Sequence, residues 1–176
     1  RMTELFAEAG VETPTVLAEG GDFYRADGKT LEVRRAGGGY HPVSLPAGVM
    51  RFHMTRRTLT PIIANNAASL FALEGDLRLV EFHSKANALT DESMQIVAAA
   101  AADHGRGIII HNDAQHFSAG VDLNAFRAYI EAEDWGGIDG FLDRFQKAVC
   151  ALKYTPVPVV GAPSGLAAGG GYEVLA

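Results

Sequence analysis

The feature that most constrains the fold is a pattern that occurs twice: a short apolar run, a loop of small residues, and then the start of a helix. In the first occurrence the apolar run is 107–111 and the loop is 112–122; in the second the run is 157–162 and the loop is the glycine-rich turn 165–171. Short apolar runs bounded by turn residues are typical of buried strands. Strands that alternate with helices favour a layered α/β fold with parallel strand pairs. The two loops are therefore predicted to leave strands of one sheet and to lie close together.

Start and stop signals around this pattern predict the remaining elements of the second part of the chain. Thr90 is a suitable N-cap for a helix, and Gly105 a suitable end. The predicted elements are strands over 70–74 and 77–84 joined at a Gly75-Asp76 turn, a helix over 91–104, the strand 107–111, helices over 124–133 and 138–154 separated by Trp135-Gly136-Gly137, the strand 157–162, and a helix that begins at the glycine-rich turn.

Residues 1–65 have a weaker pattern and are interpreted as the tail of a preceding domain followed by a linker. A helix end is predicted over 3–10, and Asp27-Gly28 between two alternating runs predicts a hairpin over 22–34 with a type I′ turn. From residue 35 onward no helical or strand period persists, and the basic cluster 51–57 is interpreted as a solvated face of the linker. The main domain is therefore predicted to span 66–176.

Charge and composition exclude several classes of partner. The net charge of −6 and the pI of about 5.5 argue against a nucleic-acid partner, because phosphates require a basic face. No apolar run reaches the ~18 residues of a membrane span, and the N-terminus lacks the apolar core of a secretory signal. The single cysteine, Cys150, cannot form an internal disulfide, which favours a reducing, cytoplasmic location. Its place on the apolar side of a predicted helix predicts a buried thiol.

Both loops of the repeated pattern are suited to bind negative charge through the backbone. Small residues and glycines let a ligand approach the chain closely, and free N–H groups at a helix entrance attract anionic groups. Each loop can contribute one donor to a single developing oxyanion, with the carboxylate of Glu173 beside it.

Competing motifs fail in the same segments. A dinucleotide fingerprint starting at Gly161 would need glycine at position 163, where the sequence has Pro163. Ser164 does not lie in a G-x-S-x-G nucleophile elbow, and no Gly-Lys-Ser/Thr of a phosphate-binding loop is present. The six histidines have no ligand spacing, so no metal site is predicted.

Three motifs resemble those of the crotonase (enoyl-CoA hydratase/isomerase) superfamily. Residues 117–123, Phe-Ser-Ala-Gly-Val-Asp-Leu, are similar to the family's Phe-(Ala/Ser/Cys)-Ala-Gly-x-Asp-(Leu/Ile). Residues 165–173 are similar to Gly-x-Ala-x-Gly-Gly-Gly-x-Glu, and 85–89 to Lys-x-Asn-Ala-Leu, in the family's order. The resemblance covers about 66–176 and implies an α/β, crotonase-like (ClpP/crotonase) fold of stacked β-β-α units, of which this chain would hold the N-terminal half.

The resemblance also implies roles for individual residues. The backbone N–H groups of Val121 and Gly170 match the family's oxyanion pair, and Glu173 matches a catalytic glutamate that acts on the water added across C2=C3 of a 2-enoyl-CoA. Coenzyme A would enter as part of the substrate, with no separate cofactor. The residues implied to contact the substrate are Lys85, Ala86, Ala88, Ala119, Gly120, Asp122, Leu123, Asn124 and Gly169.

Residues 79–85, Leu-Val-Glu-Phe-His-Ser-Lys, and the hairpin and linker before them are similar to one subgroup. Its members are bifunctional β-oxidation proteins with an N-terminal 3-hydroxyacyl-CoA dehydrogenase and a C-terminal hydratase. The family's second hydratase glutamate would lie beyond Ala176, so the chain is expected to be a fragment with little hydratase activity of its own. We expect it to associate with the rest of such a protein or with copies of itself. Two alternatives stay open: a Δ3-Δ2-enoyl-CoA isomerase on the same scaffold, and a catalytically silent module that only mediates association.

Overall fold

In the computed structural model, which describes residues 1–176, the chain divides into two units, Arg1–Thr58 and Leu59–Ala176. This division falls seven residues before the predicted 65/66, and Ile63 and Ala64 pair with a strand of the second unit. The first unit contains helix α1 (Met2–Glu8), helix α2 (Thr15–Ala18), strands β1 (Tyr24–Asp27), β2 (Thr30–Arg34) and β3 (Tyr40–Pro42), helix α3 (Phe52–Thr55) and a 3-10 turn (Arg56–Thr58).

Strands β1, β2 and β3 form an antiparallel sheet in that order. The predicted hairpin forms, but its turn is Gly28-Lys29 because Asp27 pairs with Thr30. Of the two turn residues only Gly28 has a positive φ, +55°. The predicted type I′ turn is therefore wrong, since that turn needs a positive φ at both central positions and glycine at the first suits type II′.

Two elements of the first unit, β3 and α3, lie where the sequence predicted only linker. Both have at most four residues, too few to show a period. Around β3 the guanidinium of Arg25 lies 4.1 Å from the centre of the Tyr40 ring and also pairs with Glu32 at 2.7 Å. Cation–π contacts of this kind stabilise an exposed sheet by less than about 1 kcal/mol each.

The second unit is a five-stranded sheet with helices, in strand order β4-β5-β6-β7-β8. Its elements are strands β4 (Ile63–Ala64), β5 (Ala68–Leu73) and β6 (Leu77–Phe82), a 3-10 turn (Lys85–Asn87), helix α4 (Asp91–Ala102), strand β7 (Gly107–His111), helices α5 (Leu123–Glu131) and α6 (Trp135–Lys153), strand β8 (Val159–Ala162) and helix α7 (Gly170–Glu173). The β4–β5 and β5–β6 pairs are antiparallel, and the β6–β7 and β7–β8 pairs are parallel.

The core of this unit lies between the sheet and helices α4 and α6. Leu70, Val80 and Ile110 face it from the sheet, and Val97 and Phe145 from the two helices. Helix α4 begins with the predicted cap, in which the Thr90 hydroxyl accepts a hydrogen bond from the Ser93 N–H and the Ser93 hydroxyl accepts one from the Thr90 N–H. This capping box satisfies two donors that the first turn would otherwise leave free.

Helix α6 differs from its prediction in where it begins and in the exposure of its cysteine. It begins at Trp135 and includes Gly136 and Gly137, because the Asp134 side chain caps it and accepts from the Gly137 N–H at 2.8 Å. The predicted break at these glycines is wrong, since a good N-cap offsets the low helix propensity of glycine. Cys150 is exposed rather than buried, because it lies beside an open groove along β8.

The β5–β6 hairpin also has a different turn from the predicted one. Leu73 pairs with Leu77, so the loop has three residues, 74–76, with positive φ at both Gly75 and Asp76. After this loop, Arg78 forms ion pairs of 2.9 Å with Asp76 and with Asp103 at the end of α4. The hydrogen bond from Arg78 lowers the pKa of the Asp103 carboxyl.

Replacement of Asp103 by asparagine is expected to destabilise the chain in a pH-dependent way. The pKa of Asp103 is lowered in the folded state, so its contribution is present above the ordinary carboxyl pKa and is lost as the pH falls. The free energy of unfolding should decrease by up to about 1 kcal/mol near neutral pH, and the difference from the parent should shrink as the pH falls below the ordinary carboxyl pKa. Chemical denaturation at several pH values measures this. Asp139→Asn is the control. A loss of unfolding free energy in Asp103→Asn that does not depend on pH would contradict the lowered pKa of Asp103.

Candidate active site

The two loops of the repeated pattern lie side by side, as predicted. Strands β7 and β8 pair in parallel from Ile108–Val159 to His111–Ala162, so the loops that follow them leave the same end of the sheet. The loops continue this pairing through a bridge between Ser118 and Ala167. Its two hydrogen bonds run from the Ser118 N–H to the Leu166 carbonyl at 3.1 Å and from the Ala168 N–H to the Ser118 carbonyl at 3.0 Å.

A third segment, residues 84–89, holds the first loop from its other side. The Leu89 N–H donates to the Gly120 carbonyl at 2.8 Å, and the Leu89 carbonyl accepts from the Asp122 N–H at 2.9 Å. The Ala119 N–H donates to the Ala86 carbonyl at 3.1 Å. The three motifs of the sequence therefore meet in one place, although they are far apart along the chain.

This arrangement leaves the N–H group of Val121 without an acceptor in the chain. All peptide bonds are trans, and in a trans peptide the C=O and N–H point in opposite directions. Because the Gly120 carbonyl points to Leu89, the N–H of the same peptide, that of Val121, points away from Leu89. The neighbouring N–H groups of Gly120 and Asp122 are both bonded within the chain.

The N–H group of Gly170 is free for the same geometrical reason. The Gly169 carbonyl accepts from the N–H groups of Tyr172 and Glu173, at 2.9 and 3.1 Å, so it points into α7. The N–H of the Gly169–Gly170 peptide therefore points out of the beginning of this helix. The first N–H groups of a helix have no partner within it. The Gly171 N–H that follows is bonded to the Ala168 carbonyl at 2.8 Å.

The two free donors belong to loops in direct contact. A Cβ atom on Gly120 would lie 2.9 Å from the Ala168 carbonyl oxygen and 3.6 Å from the Gly170 nitrogen. A Cβ atom on Gly170 would lie 2.9 Å from Cγ2 of Val121 and 3.0 Å from the ring of Phe145. Position 120 therefore needs glycine, because a Cβ there would meet backbone, whereas a Cβ at position 170 would have to displace the side chains of Val121 and Phe145. The close approach brings the Val121 and Gly170 backbones together.

Glu173 lies in the single turn of α7, three residues after Gly170, and its side chain is exposed. It borders a groove of about 570 Å³ that runs along β8 and the end of α6. Neither Val121 nor Gly170 borders this groove, whose other lining residues are mostly apolar. That the Glu173 carboxylate shares a cavity with the two donors therefore stays a prediction.

The predicted substrate-contacting residues lie in three segments of the chain: 85–88, 119–124 and Gly169. Lys85, Ala86 and Ala88 surround the 3-10 turn, where Ala86 has a φ of +56°. Asp122 caps α5, and its carboxylate accepts from the Asn124 N–H at 3.0 Å. The residues with exposed surface in these segments are Lys85, Ala86, Ala119, Leu123, Asn124 and Gly169, whereas Ala88 and Asp122 are half-buried and Gly120 is buried.

Three buried polar side chains near the donors were not singled out from the sequence. Asn112, directly after β7, accepts from the Phe82 N–H and donates to the Phe117 carbonyl. Asn87 donates to the His116 carbonyl at 2.9 Å, and Ser118 bonds to both Asn87 and Gly120. The available signal was that each lies beside a predicted strand end or tight turn, where a buried polar side chain must find backbone partners.

No group of three or more histidine, cysteine, aspartate or glutamate side chains is arranged to hold a metal ion. None of the helices combines the length and the apolar character that crossing a membrane requires.

Several known proteins are similar to this chain in sequence. A Bacillus subtilis protein described as "Probable 3-hydroxyacyl-CoA dehydrogenase" is 33% identical over 128 residues, which are 70% of this chain and 16% of that protein. A Rickettsia felis protein described as "Putative fatty acid oxidation complex trifunctional enzyme" is 33% identical over 82 residues, 47% of this chain and 11% of that protein. The chain thus spans less than a fifth of the length of these relatives. No family model matches the sequence.

Solved structures share the fold. An enoyl-CoA hydratase from Polaromonas sp. JS666 superposes with a TM-score of 0.56 at 22% identity, covering 61% of this chain and 44% of that one. An enoyl-CoA hydratase from Bacillus anthracis superposes with a TM-score of 0.55 at 19% identity, covering 62% and 44%. The predicted crotonase-like α/β fold is confirmed, over somewhat less than half of the solved chains.

Proposed function

We propose that residues 59–176 bind an acyl-CoA thioester and stabilise its enolate. The crotonase (enoyl-CoA hydratase/isomerase) fold of this chain supports the proposal. The observation that carries the proposal is the pair of free N–H groups on Val121 and Gly170, in loops that touch. A thioester carbonyl oxygen that accepts from both would gain most when it carries the charge of an enolate. Donors fixed at such a position are commonly worth about 3–4 kcal/mol each.

The reaction we propose is hydration of a 2-enoyl-CoA. The water oxygen bonds to C3, the C2=C3 electrons move toward the thioester, and the two N–H groups hold the resulting enolate oxygen. Glu173 takes a proton from the attacking water and, now protonated, gives a proton to C2 as the enolate returns to the thioester, so that one whole water molecule is added. Coenzyme A is bound as part of the substrate, along the segments 85–88 and 121–124, and no separate cofactor takes part. The exposed residues of these segments are Lys85, Ala86, Leu123 and Asn124.

We further propose that the first unit is the end of a dehydrogenase part in a longer β-oxidation protein. The match to the Bacillus subtilis protein covers 128 residues, which is more than the second unit contains, so part of the first unit is matched as well. The names of both curated relatives support the same context.

The test removes one donor and keeps everything else as similar as possible. Gly170→Pro deletes the N–H, and proline is well tolerated at the first position of a helix, which Gly170 occupies in α7. Gly170→Ala is the matched control, because it adds the same Cβ against Val121 but keeps the N–H. In the full protein that carries these residues, crotonyl-CoA hydration by the proline variant should be about 10²–10³-fold slower than by the alanine variant.

Two results would overturn the proposal. Equal hydration rates for the proline and alanine variants would remove the Gly170 donor from the mechanism. Conversion of a 3-enoyl-CoA to its 2-enoyl isomer by a parent protein that does not hydrate crotonyl-CoA would replace hydration by isomerisation as the reaction of this site.

A further inference from the structure

We infer that Ser118 is a positioning residue: its buried hydroxyl fixes the Ala119–Gly120 peptide and so the position of Gly120, from which the next peptide presents the Val121 N–H to the thioester oxygen. The inference rests on the proposed function, because it concerns one of the two proposed donors. Ser118 itself does not contact the substrate in this proposal, since its side chain is 0% exposed.

The hydroxyl of Ser118 makes two hydrogen bonds, one as a donor and one as an acceptor. It donates to the Asn87 carbonyl at 2.7 Å and accepts from the Gly120 N–H at 3.1 Å. Donation to Asn87 fixes the hydroxyl proton, so a lone pair faces Gly120. The Gly120 carbonyl is held independently by the Leu89 N–H at 2.8 Å. Gly120 is therefore anchored through both its N–H and its C=O.

Such anchoring is needed because residue 120 must be glycine. Its φ is +93°, and a Cβ atom there would lie 2.9 Å from the Ala168 carbonyl oxygen. Glycine also has the largest conformational freedom of any residue. Rotation of the Gly120–Val121 peptide would replace the N–H by a carbonyl oxygen, which repels an enolate. The Leu89 N–H opposes this rotation directly through the Gly120 carbonyl, and the Ser118 hydroxyl holds the preceding Ala119–Gly120 peptide so that this carbonyl stays directed at Leu89.

Asn87, in the third segment (residues 84–89), supports the Ser118 hydroxyl. It has a φ of +50°, which is uncommon for a residue other than glycine, and its side chain donates to the His116 carbonyl at 2.9 Å. This bond holds the Asn87 backbone beside the first loop, so its carbonyl remains available to Ser118. These hydrogen bonds thus connect the turn at 85–87, through the Ser118 hydroxyl, to the loop that carries the Val121 N–H.

The experiment compares two CoA thioesters on the full protein. Acetoacetyl-CoA forms an enolate whose ultraviolet absorbance reports binding, and butyryl-CoA is a saturated thioester without that charge. For Ser118→Ala, the dissociation constant of acetoacetyl-CoA should rise about tenfold and the enolate absorbance should fall, whereas the constant of butyryl-CoA should change far less. Ser93→Ala is the matched control, because Ser93 is also a fully buried serine that bonds to backbone, but at the start of α4.

The outcomes separate this inference from the proposed function. If the parent protein binds neither thioester, the proposed function fails. If the parent binds acetoacetyl-CoA as an enolate and Ser118→Ala binds it equally well, only the positioning role fails. Equal weakening of both thioesters would indicate a merely structural role and would also overturn it. Should Ser118→Ala not fold, Ser118→Cys keeps a weaker hydrogen-bonding group and should show an intermediate loss for acetoacetyl-CoA alone.

Discussion

Replacement of Glu173 by glutamine is expected to slow hydration of crotonyl-CoA by about 10²–10⁴-fold in the full protein, with acyl-CoA binding almost unchanged. Glutamine has nearly the same shape as glutamate but cannot accept a proton from water. The backbone donors on Val121 and Gly170 do not involve this side chain, so the thioester should still bind. Loss of the enoyl-thioester absorbance measures hydration, and titration with butyryl-CoA measures binding.

Glu74→Gln provides the control for this prediction. Glu74 is also an exposed glutamate, but it lies in the β5–β6 loop. Its replacement should leave hydration within experimental error of the parent. Near-normal turnover by Glu173→Gln would show that this carboxylate is not the base and that Glu173 only contributes to the surface of the groove along β8.

Phe117→Ala is expected to lower the free energy of unfolding by about 3–5 kcal/mol. Phe117 is 0% exposed and packs edge-to-face against Phe82, with ring centres 6.0 Å apart. Removal of the ring leaves a cavity that rigid neighbours in the sheet cannot fill. Denaturant unfolding followed by circular dichroism gives the free energy directly.

Phe23→Ala is the comparison for the loss of an aromatic ring without burial. Phe23 is 51% exposed, and surface substitutions of this kind usually change stability by less than about 0.5 kcal/mol. A Phe117→Ala protein as stable as the parent would mean that the first loop does not pack on the sheet as described.

The regular elements of the second unit were largely predictable because each has a strong local signal. Strand β7 has the predicted bounds, 107–111, and helix α4 begins at the predicted residue after its Thr90 cap. The errors arise where local signals compete. Gly136 and Gly137 predict a helix break, but the cap from Asp134 favours helix, and only the structure shows that the cap prevails.

The close approach of the loops could be predicted only in part. Parallel pairing of β7 and β8 follows from the order of elements, and it brings the two loops to one end of the sheet. The role of Leu89, which turns the Gly120 carbonyl away and so frees the Val121 N–H, depends on a contact between segments distant in the sequence. The serine and asparagine side chains that support this contact lie beside predicted strand ends or turns, but their partners are about thirty residues away in the sequence, so the contact itself could not be predicted.

Because both free donors belong to the main chain, they are not encoded by any particular codon at positions 121 and 170. Nearly every residue other than proline supplies the same N–H, so the inheritance of this feature depends on the glycines and the hydroxyl that shape the two loops. The side chain at position 121 is half-buried and packs against the apolar core beside Gly170, so its size and polarity are constrained by that packing. An apolar substitution of similar size at position 121 therefore changes the side chain while the group that meets the carbonyl oxygen stays the same.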